Sequence, residues 1–181
     1  MKGVVFTSFI EWTEERWSFE MSDKVITAAD LPNGGAYTAV GTYDYNEILT
    51  LFGALSEASG EPLADLVVDF GRDLFGRLHK AHPWVDDGVE HLFDLLERLE
   101  EHIHVEVKKL YPEAELPRFE SERDGDRSMT MIYSSHRPFG ALAVGLIQGA
   151  SDAYGLPVTI DSTDLPADDG YRVRFVVRAA A

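Results

Sequence analysis

The sequence contains no cysteine, and this absence removes several classes of protein at once. Disulfide bonds, thiolate nucleophiles and cysteine-ligated zinc or iron–sulfur centres are all excluded. The strong metal ligands that remain are six histidines and the carboxylates. Any metal or metallocofactor site must therefore be built from these side chains.

Basic residues are also scarce: 16 Lys and Arg stand against 32 Asp and Glu, for a formal net charge of −16. A surface this acidic repels phosphate backbones and anionic lipids, so we expect no binding to nucleic acid or to a membrane surface. No apolar run reaches membrane-spanning length, and the short N-terminal run lacks the organisation of a signal peptide. We predict a cytoplasmic protein with one domain, residues 1–181.

The first half of the sequence predicts helices, because its apolar residues recur at intervals of three and four. The predicted helices span Val4–Met21, Asp44–Ser59, Pro62–Lys80 and Asp86–Tyr111. Asp44 is a typical N-cap, Gly60 a typical stop signal, and Pro112 ends the last helix. Residues 36–43 are β-prone or irregular, and Gly71 favours close packing of the third helix on a neighbour.

The second half of the sequence changes its period and predicts strands. Residues 118–122 and 128–134 flank Asp124-Gly125, a dipeptide typical of hairpin turns. A helix rich in small residues is predicted from Pro138 to Tyr154, and a second hairpin from Val158–Asp161 and Tyr171–Arg178. A helical half followed by a β-β-α-β-β half with an antiparallel sheet is an α+β fold.

Two histidines lie near the end of the fourth predicted helix, at opposite edges of its apolar stripe. His102 and His104 point about 200° apart on a helix, so they cannot share one metal ion. Periodicity does not say which of them is functional, and a histidine at such an edge is more often a partly buried surface residue. Glu101-x-x-His104 is also half of a di-iron signature, but the chain has no second copy.

A second group of polar residues lies at the end of a predicted strand. Tyr133, Ser135 and Arg137 share one face of that strand, because side chains alternate along it. Two hydroxyls and a guanidinium on one face form a set of donors suited to carboxylates or phosphate. The alternative is an ordinary strand end with an exposed arginine.

Together these two motifs resemble the haem nitric oxide/oxygen binding (H-NOX) domain, the sensor module also found in soluble guanylate cyclase. The first motif is His104 followed by Tyr111-Pro112 and Pro117 at the family's spacing, and the second is Tyr133-x-Ser135-x-Arg137. The resemblance extends over nearly the whole chain, and its register selects His104 rather than His102. It implies the H-NOX fold, with a haem b buried between the helical half and the strand half.

The resemblance also implies roles for individual residues. His104 would ligate the haem iron, and Pro117 would press on the porphyrin face and distort it. Three residues would bind the propionates by charge-assisted hydrogen bonds: Tyr133, Ser135 and Arg137. Four residues would line the distal pocket: Val5, Phe9, Leu74 and Leu142.

The implied distal pocket is apolar, and Leu142 stands where oxygen-binding relatives have a tyrosine. Bound O₂ carries partial negative charge and is stabilised by a hydrogen-bond donor, whereas NO and CO need that help far less. We therefore predict a sensor that binds NO and CO at a five-coordinate ferrous haem and excludes stable O₂. A donor that enters the pocket from elsewhere, such as Tyr154, would change this prediction.

The resemblance implies signalling through the proximal histidine. Binding of NO would weaken the bond to His104, and haem relaxation against Pro117 would move the helical half relative to the strands. Stand-alone bacterial relatives imply a histidine kinase or a cyclic-di-GMP enzyme as partner. Two alternatives stay open: a non-haem metal-binding helical domain, and a ligand-free interaction domain. No catalytic constellation is visible, so no enzyme is expected.

Overall fold

The fold described here is that of a computed structural model, which describes residues 1–180. The first helices are α1 (Gly3–Arg16), α2 (Phe19–Ala29), α3 (Tyr45–Ser59) and α4 (Leu63–Ala81). A 3₁₀ turn (Pro83–Asp86) leads to α5 (Leu92–Arg98), a π-helical segment (Leu99–Ile103) and α6 (His104–Leu110). The remaining elements are β1 (Arg118–Arg123), β2 (Ser128–Ser135), α7 (Gly140–Ala153), β3 (Val158–Leu165) and β4 (Tyr171–Ala179).

The four strands form one antiparallel sheet in the order β1-β2-β4-β3. One face of the sheet is buried, because alternate residues of the two central strands point into the core. These residues are Met129, Met131 and Tyr133 on β2, and Val173, Phe175 and Val177 on β4. The α+β class and the β-β-α-β-β order of the second half are therefore confirmed, and both hairpins form as predicted, with β3 extending to Leu165.

The single N-terminal helix predicted over Val4–Met21 is wrong, because the chain breaks after Arg16. Ser18 adopts an extended conformation and its hydroxyl accepts a hydrogen bond from the Met21 amide at 3.2 Å, so it begins a new helix. The Trp17 ring lies edge-on to Trp12, at 5.4 Å between ring centroids. Because the helix breaks here, the Trp17 side chain packs back against α1.

The next two helices follow the prediction closely. Asp44 caps α3 by accepting a hydrogen bond from the Asn46 amide at 2.9 Å, and Gly60 ends it. Pro62 directly precedes α4, where its missing amide donor costs nothing. Residues 36–43 are irregular apart from an isolated bridge between Lys2 and Thr42.

The predicted helix from Asp86 to Tyr111 is wrong at its start and is not regular along its length. Gly88 has a φ of 72°, which a helix does not accommodate, and the helix begins only at Leu92. The Asp94 carboxylate accepts a hydrogen bond from the His91 amide at 3.1 Å and so caps this later start. The π-helical segment then shifts the register directly before His104.

Helices α4 and α7 approach each other closely along a line of glycines. A Cβ added at Gly145 would lie 2.1 Å from the Val68 carbonyl oxygen, and one added at Gly71 would lie 2.6 Å from that of Leu142. Only glycine permits this backbone separation, which confirms the packing predicted for Gly71. The close approach brings Leu74 and Leu142, on facing helices, into one core. Within residues 1–180, no helix is long and apolar enough to cross a membrane.

Candidate functional site

His104 is the first residue of α6, and its side chain is 14% exposed. Its Nδ1 lies 3.1 Å from Glu100 Oε2, and its ring lies 5.9 Å from the Phe119 ring on β1. His102, by contrast, is exposed and lines a surface groove with Trp84. Burial therefore separates two histidines that helical periodicity could not distinguish.

Burial also shapes the acid–base chemistry of His104. Desolvation lowers the pKa of its imidazole below the usual 6.5, and the neighbouring Glu100 carboxylate offsets this only in part. The neutral imidazole is the form that binds a metal ion. Because Nδ1 faces Glu100, Nε2 is the nitrogen left for a ligand, and it makes no hydrogen bond to any described residue.

Phe119 connects the two sequence motifs, a role that the sequence did not reveal. Its ring lies 5.9 Å from the His104 ring on one side and 5.6 Å from the Tyr133 ring on the other. Phe119 and Tyr133 are direct partners across β1 and β2. The half-buried histidine and the Tyr-x-Ser-x-Arg strand thus belong to one continuous site.

The two hydroxyls of the second motif hold the chain where β2 ends. The Tyr133 hydroxyl donates to the Arg137 carbonyl oxygen at 2.8 Å, and Ser135 Oγ accepts from the Arg137 amide at 3.1 Å. Tyr133 is almost fully buried, and that burial raises the pKa of its phenol. These contacts fix the backbone of Arg137 and therefore aim its side chain.

The Arg137 guanidinium is 15% exposed and already binds a carboxylate. It donates to the side chain of Glu115, and also to the Glu115 carbonyl oxygen at 3.2 Å, while its Cζ atom lies 5.5 Å from the centre of the Tyr45 ring. The Glu115 side chain is 82% exposed, so a second carboxylate could replace it without burying an unpaired charge. This arrangement shows that the guanidinium is positioned to receive anions.

Pro117 lies half-buried directly before β1, between Glu115 and Phe119. Residues 115–119 therefore connect Glu115, which binds Arg137, to Phe119, which packs beside His104. Only the family resemblance singled out Pro117, because a proline directly before a strand is ordinary.

The residues expected in the distal pocket lie in the helical part of the core. Phe9, Leu74 and Leu142 are buried, and Val5 is half-buried. The Phe9 ring packs against Phe52 at 4.9 Å. All of these side chains are apolar.

Tyr154 does not supply a donor to this group. Its hydroxyl donates to the half-exposed Asp86 carboxylate, which also lies 2.8 Å from His79 Nε2. Burial of the ring, and after it the hydrogen bond to Asp86, raises the pKa of the Tyr154 phenol, and the hydrogen bond holds the hydroxyl at the protein surface.

The donor set fits a haem. The structure combines a neutral imidazole with one free nitrogen, a half-buried guanidinium that accepts anions, and large apolar side chains. A non-haem metal ion has no comparable site, because residues 1–180 contain no group of three or more His, Asp and Glu side chains that could hold one. The helical metal-site alternative built on Glu101 and His104 therefore lacks its ligands.

A helical part joined to a four-stranded antiparallel sheet, with this histidine beside the sheet, is the architecture of haem-based gas-sensor domains. The chain belongs to the haem-NO-binding (H-NOX) family, because the family model described as Haem-NO-binding matches residues 2–162. Members of this family bind haem and act as sensor domains. A comparison with curated proteins gives no match.

Solved structures of H-NOX proteins are similar over the full chain. The unliganded Fe(II) H-NOX protein from K. algicida is 33% identical with a TM-score of 0.91, covering 100% of this chain and 97% of that one. The IWP-051-bound H-NOX from Shewanella woodyi, in the Fe(II)CO ligation state, is 39% identical with a TM-score of 0.83, covering 99% and 95%. An H-NOX protein from S. oneidensis shares the fold at 22% identity, with a TM-score of 0.90 and coverage of 100% and 97%.

Proposed function

We propose that this protein is a sensor of NO and CO that holds a haem b through Nε2 of His104. The observation that carries the proposal is the half-buried, neutral imidazole whose Nδ1 is engaged and whose Nε2 is free. When bound, the haem iron supplies an open coordination position for a diatomic gas. Arg137 and the Ser135 hydroxyl would bind the propionates, Tyr133 would support them by holding the Arg137 backbone, and Pro117 would pack on the porphyrin.

Arg137 does most of the work of this clamp, because the two hydroxyls are shared with the backbone. Its guanidinium would exchange the exposed Glu115 carboxylate for a propionate, while the hydrogen bond donated by the Tyr133 hydroxyl and the one accepted by Ser135 Oγ keep the arginine backbone in place. A planar guanidinium suits a carboxylate because it can donate two parallel hydrogen bonds.

The apolar pocket residues determine which gas is retained. The side chains of Val5, Phe9, Leu74 and Leu142 offer no hydrogen-bond donor, and the Tyr154 hydroxyl is bound to Asp86. Stable O₂ binding requires such a donor, whereas NO and CO do not. The CO-ligated state of the Shewanella woodyi relative supports CO as a ligand of this family site.

Signalling would proceed through release of His104 from the haem iron. His104 is the first residue of α6, so its release from the iron would change how α6 is held relative to β1 and Arg137. A histidine kinase or a cyclic-di-GMP enzyme would read this movement.

The test is absorption spectroscopy of the haem-loaded protein, reduced without air and then exposed to CO, NO or O₂ in turn. We expect a five-coordinate ferrous spectrum that shifts with CO and NO and forms no stable complex with O₂. A stable oxy spectrum would contradict the gas selectivity but keep the haem site. Failure to retain haem at all would favour the ligand-free interaction domain.

A further inference from the structure

Glu100 occupies a position that neither sequence motif includes. One of its carboxylate oxygens, Oε2, lies 3.1 Å from His104 Nδ1 and 3.0 Å from the Phe119 amide nitrogen. Glu100 lies in the π-helical segment directly before α6, whereas Phe119 lies on β1. A single carboxylate thus joins the histidine to the sheet.

The contact with His104 fixes the state of the imidazole. An ionised carboxylate can only accept hydrogen bonds, so the proton must lie on Nδ1 and Nε2 must carry the lone pair. A carboxylate that accepts from the distant nitrogen of a metal-bound histidine holds the ring orientation and makes the ligating nitrogen more basic. Both effects act on Nε2, the nitrogen that would bind the haem iron.

The contact with Phe119 anchors the carboxylate in turn. Strand β1 lies at the edge of the sheet and pairs only with β2, so its outward amides have no strand partner. Glu100 accepts from one of these amides, and the Phe119 ring packs beside the His104 ring. The carboxylate is therefore fixed by the sheet and does not simply follow the histidine.

We propose that Glu100 is a positioning residue that sets the strength of the iron–histidine bond and couples His104 to strand β1. This inference rests on the proposed ligation of His104. Loss of the carboxylate weakens the iron–histidine bond in the unliganded protein, and so favours release of the histidine when a gas binds on the other side. It also removes the direct hydrogen-bonded link between the π-helical segment and the sheet.

The test is resonance Raman spectroscopy of the unliganded ferrous protein, in which the iron–histidine stretching frequency reports bond strength. Glu100→Ala should lower this frequency, Glu100→Gln should give an intermediate value because its amide oxygen still accepts, and haem affinity should fall about 10- to 100-fold in the alanine variant. The control is Glu101→Gln, an exposed neighbour without a hydrogen bond, which should match the parent protein.

A second readout does not require haem. In the haem-free protein, the ¹⁵N chemical shifts of His104 should show the Nδ1–H tautomer, and Glu100→Ala should shift the ring toward a tautomeric mixture. An unchanged stretching frequency in both Glu100 variants, with His104 still ligating, would overturn this inference alone. If the iron–histidine band instead persisted when His104 is replaced, the proposed function would be overturned.

Discussion

At His104, two opposing effects act on one imidazole. Burial removes water from the ring and disfavours its charged form, while the Glu100 carboxylate favours that form. Burial is the larger effect, so the pKa of His104 lies below its usual value and the ring is neutral near pH 7. The proposed role as an iron ligand requires a neutral ring, and the surroundings of His104 keep it neutral.

Leu142 is the residue at which the proposed gas selectivity can be tested. Leu142→Tyr places a phenol among apolar side chains, and its hydroxyl would donate to the partial negative charge on bound O₂. We expect a stable oxy complex in this variant, measured by absorption spectroscopy after exposure of the ferrous protein to air. Leu142→Phe is the matched control, since it adds the ring without the donor and should not hold O₂. Equal behaviour of the two variants would show that the pocket's polarity does not decide the ligand.

At the scale of single elements, Asp94 secures the start of α5. Its carboxylate accepts from the His91 amide at 3.1 Å and from Arg123 of β1 at 2.8 Å. The hydrogen bond from Arg123 is the largest cause that lowers the pKa of Asp94 below its usual 3.8. The carboxylate therefore ties the helix that leads to His104 to the edge of the sheet.

This arrangement gives Asp94 a defined pH dependence. Because its folded pKa is depressed, the folded state binds fewer protons than the unfolded state, so its stabilisation is present above about pH 4 and is lost as the pH falls further. Asp94→Asn should lower the free energy of unfolding at pH 7 by about 1 kcal/mol and flatten its fall at acidic pH. Urea denaturation between neutral and acidic pH measures this. Asp168→Asn, at an exposed loop position, should leave both unchanged.

The close packing of α4 and α7 is a property of the helix pair. Gly145→Ala would place a Cβ 2.1 Å from the Val68 carbonyl oxygen, a backbone atom that cannot move alone. We expect a loss of about 1–3 kcal/mol in the free energy of unfolding, measured by chemical denaturation. Gly76→Ala, in the partner helix α4 and with open space around the position, should be neutral or stabilising by up to about 1 kcal/mol. Equal effects would mean that the helices separate freely.

The same elements show why part of the fold was predictable from sequence. Asp44, Gly60 and Asp124-Gly125 act through their own local backbone, so their effects are readable from a single stretch of chain. The break at Trp17–Ser18 and the late start at Leu92 depend on where a ring packs and how a loop closes. The π-helical segment has no sequence signal, because the apolar stripe continues through it.

For the site, the sequence identified motifs but not the contacts between them. The resemblance named His104 and the Tyr-x-Ser-x-Arg strand, whereas Glu100, Phe119 and Glu115 became visible only in three dimensions. Each of these residues acts through a partner that is distant in sequence. Pairings of this kind are set by tertiary packing and leave no local periodicity.

At the scale of the whole molecule, two chains of contacts besides the Asp94–Arg123 pair surround the proposed haem site. One runs from His104 through Glu100 and Phe119 to Tyr133, and the other joins Glu115, in the loop after α6, to Arg137. The segment that contains Pro117 lies between them in the chain. A change at His104 can therefore reach Tyr133 and Arg137, the residues of the proposed propionate clamp, by two physical routes.

The most direct test of this account is the absorption spectrum of His104→Gly, with His102→Gly as the matched control. We predict that His104→Gly loses the five-coordinate ferrous spectrum and recovers it when free imidazole fills the space, while His102→Gly keeps the parent spectrum. Imidazole restores ligation because the glycine leaves the position of the ring open beside Glu100. An unchanged spectrum in His104→Gly, together with loss of haem in His102→Gly, would contradict the assignment of the proximal ligand.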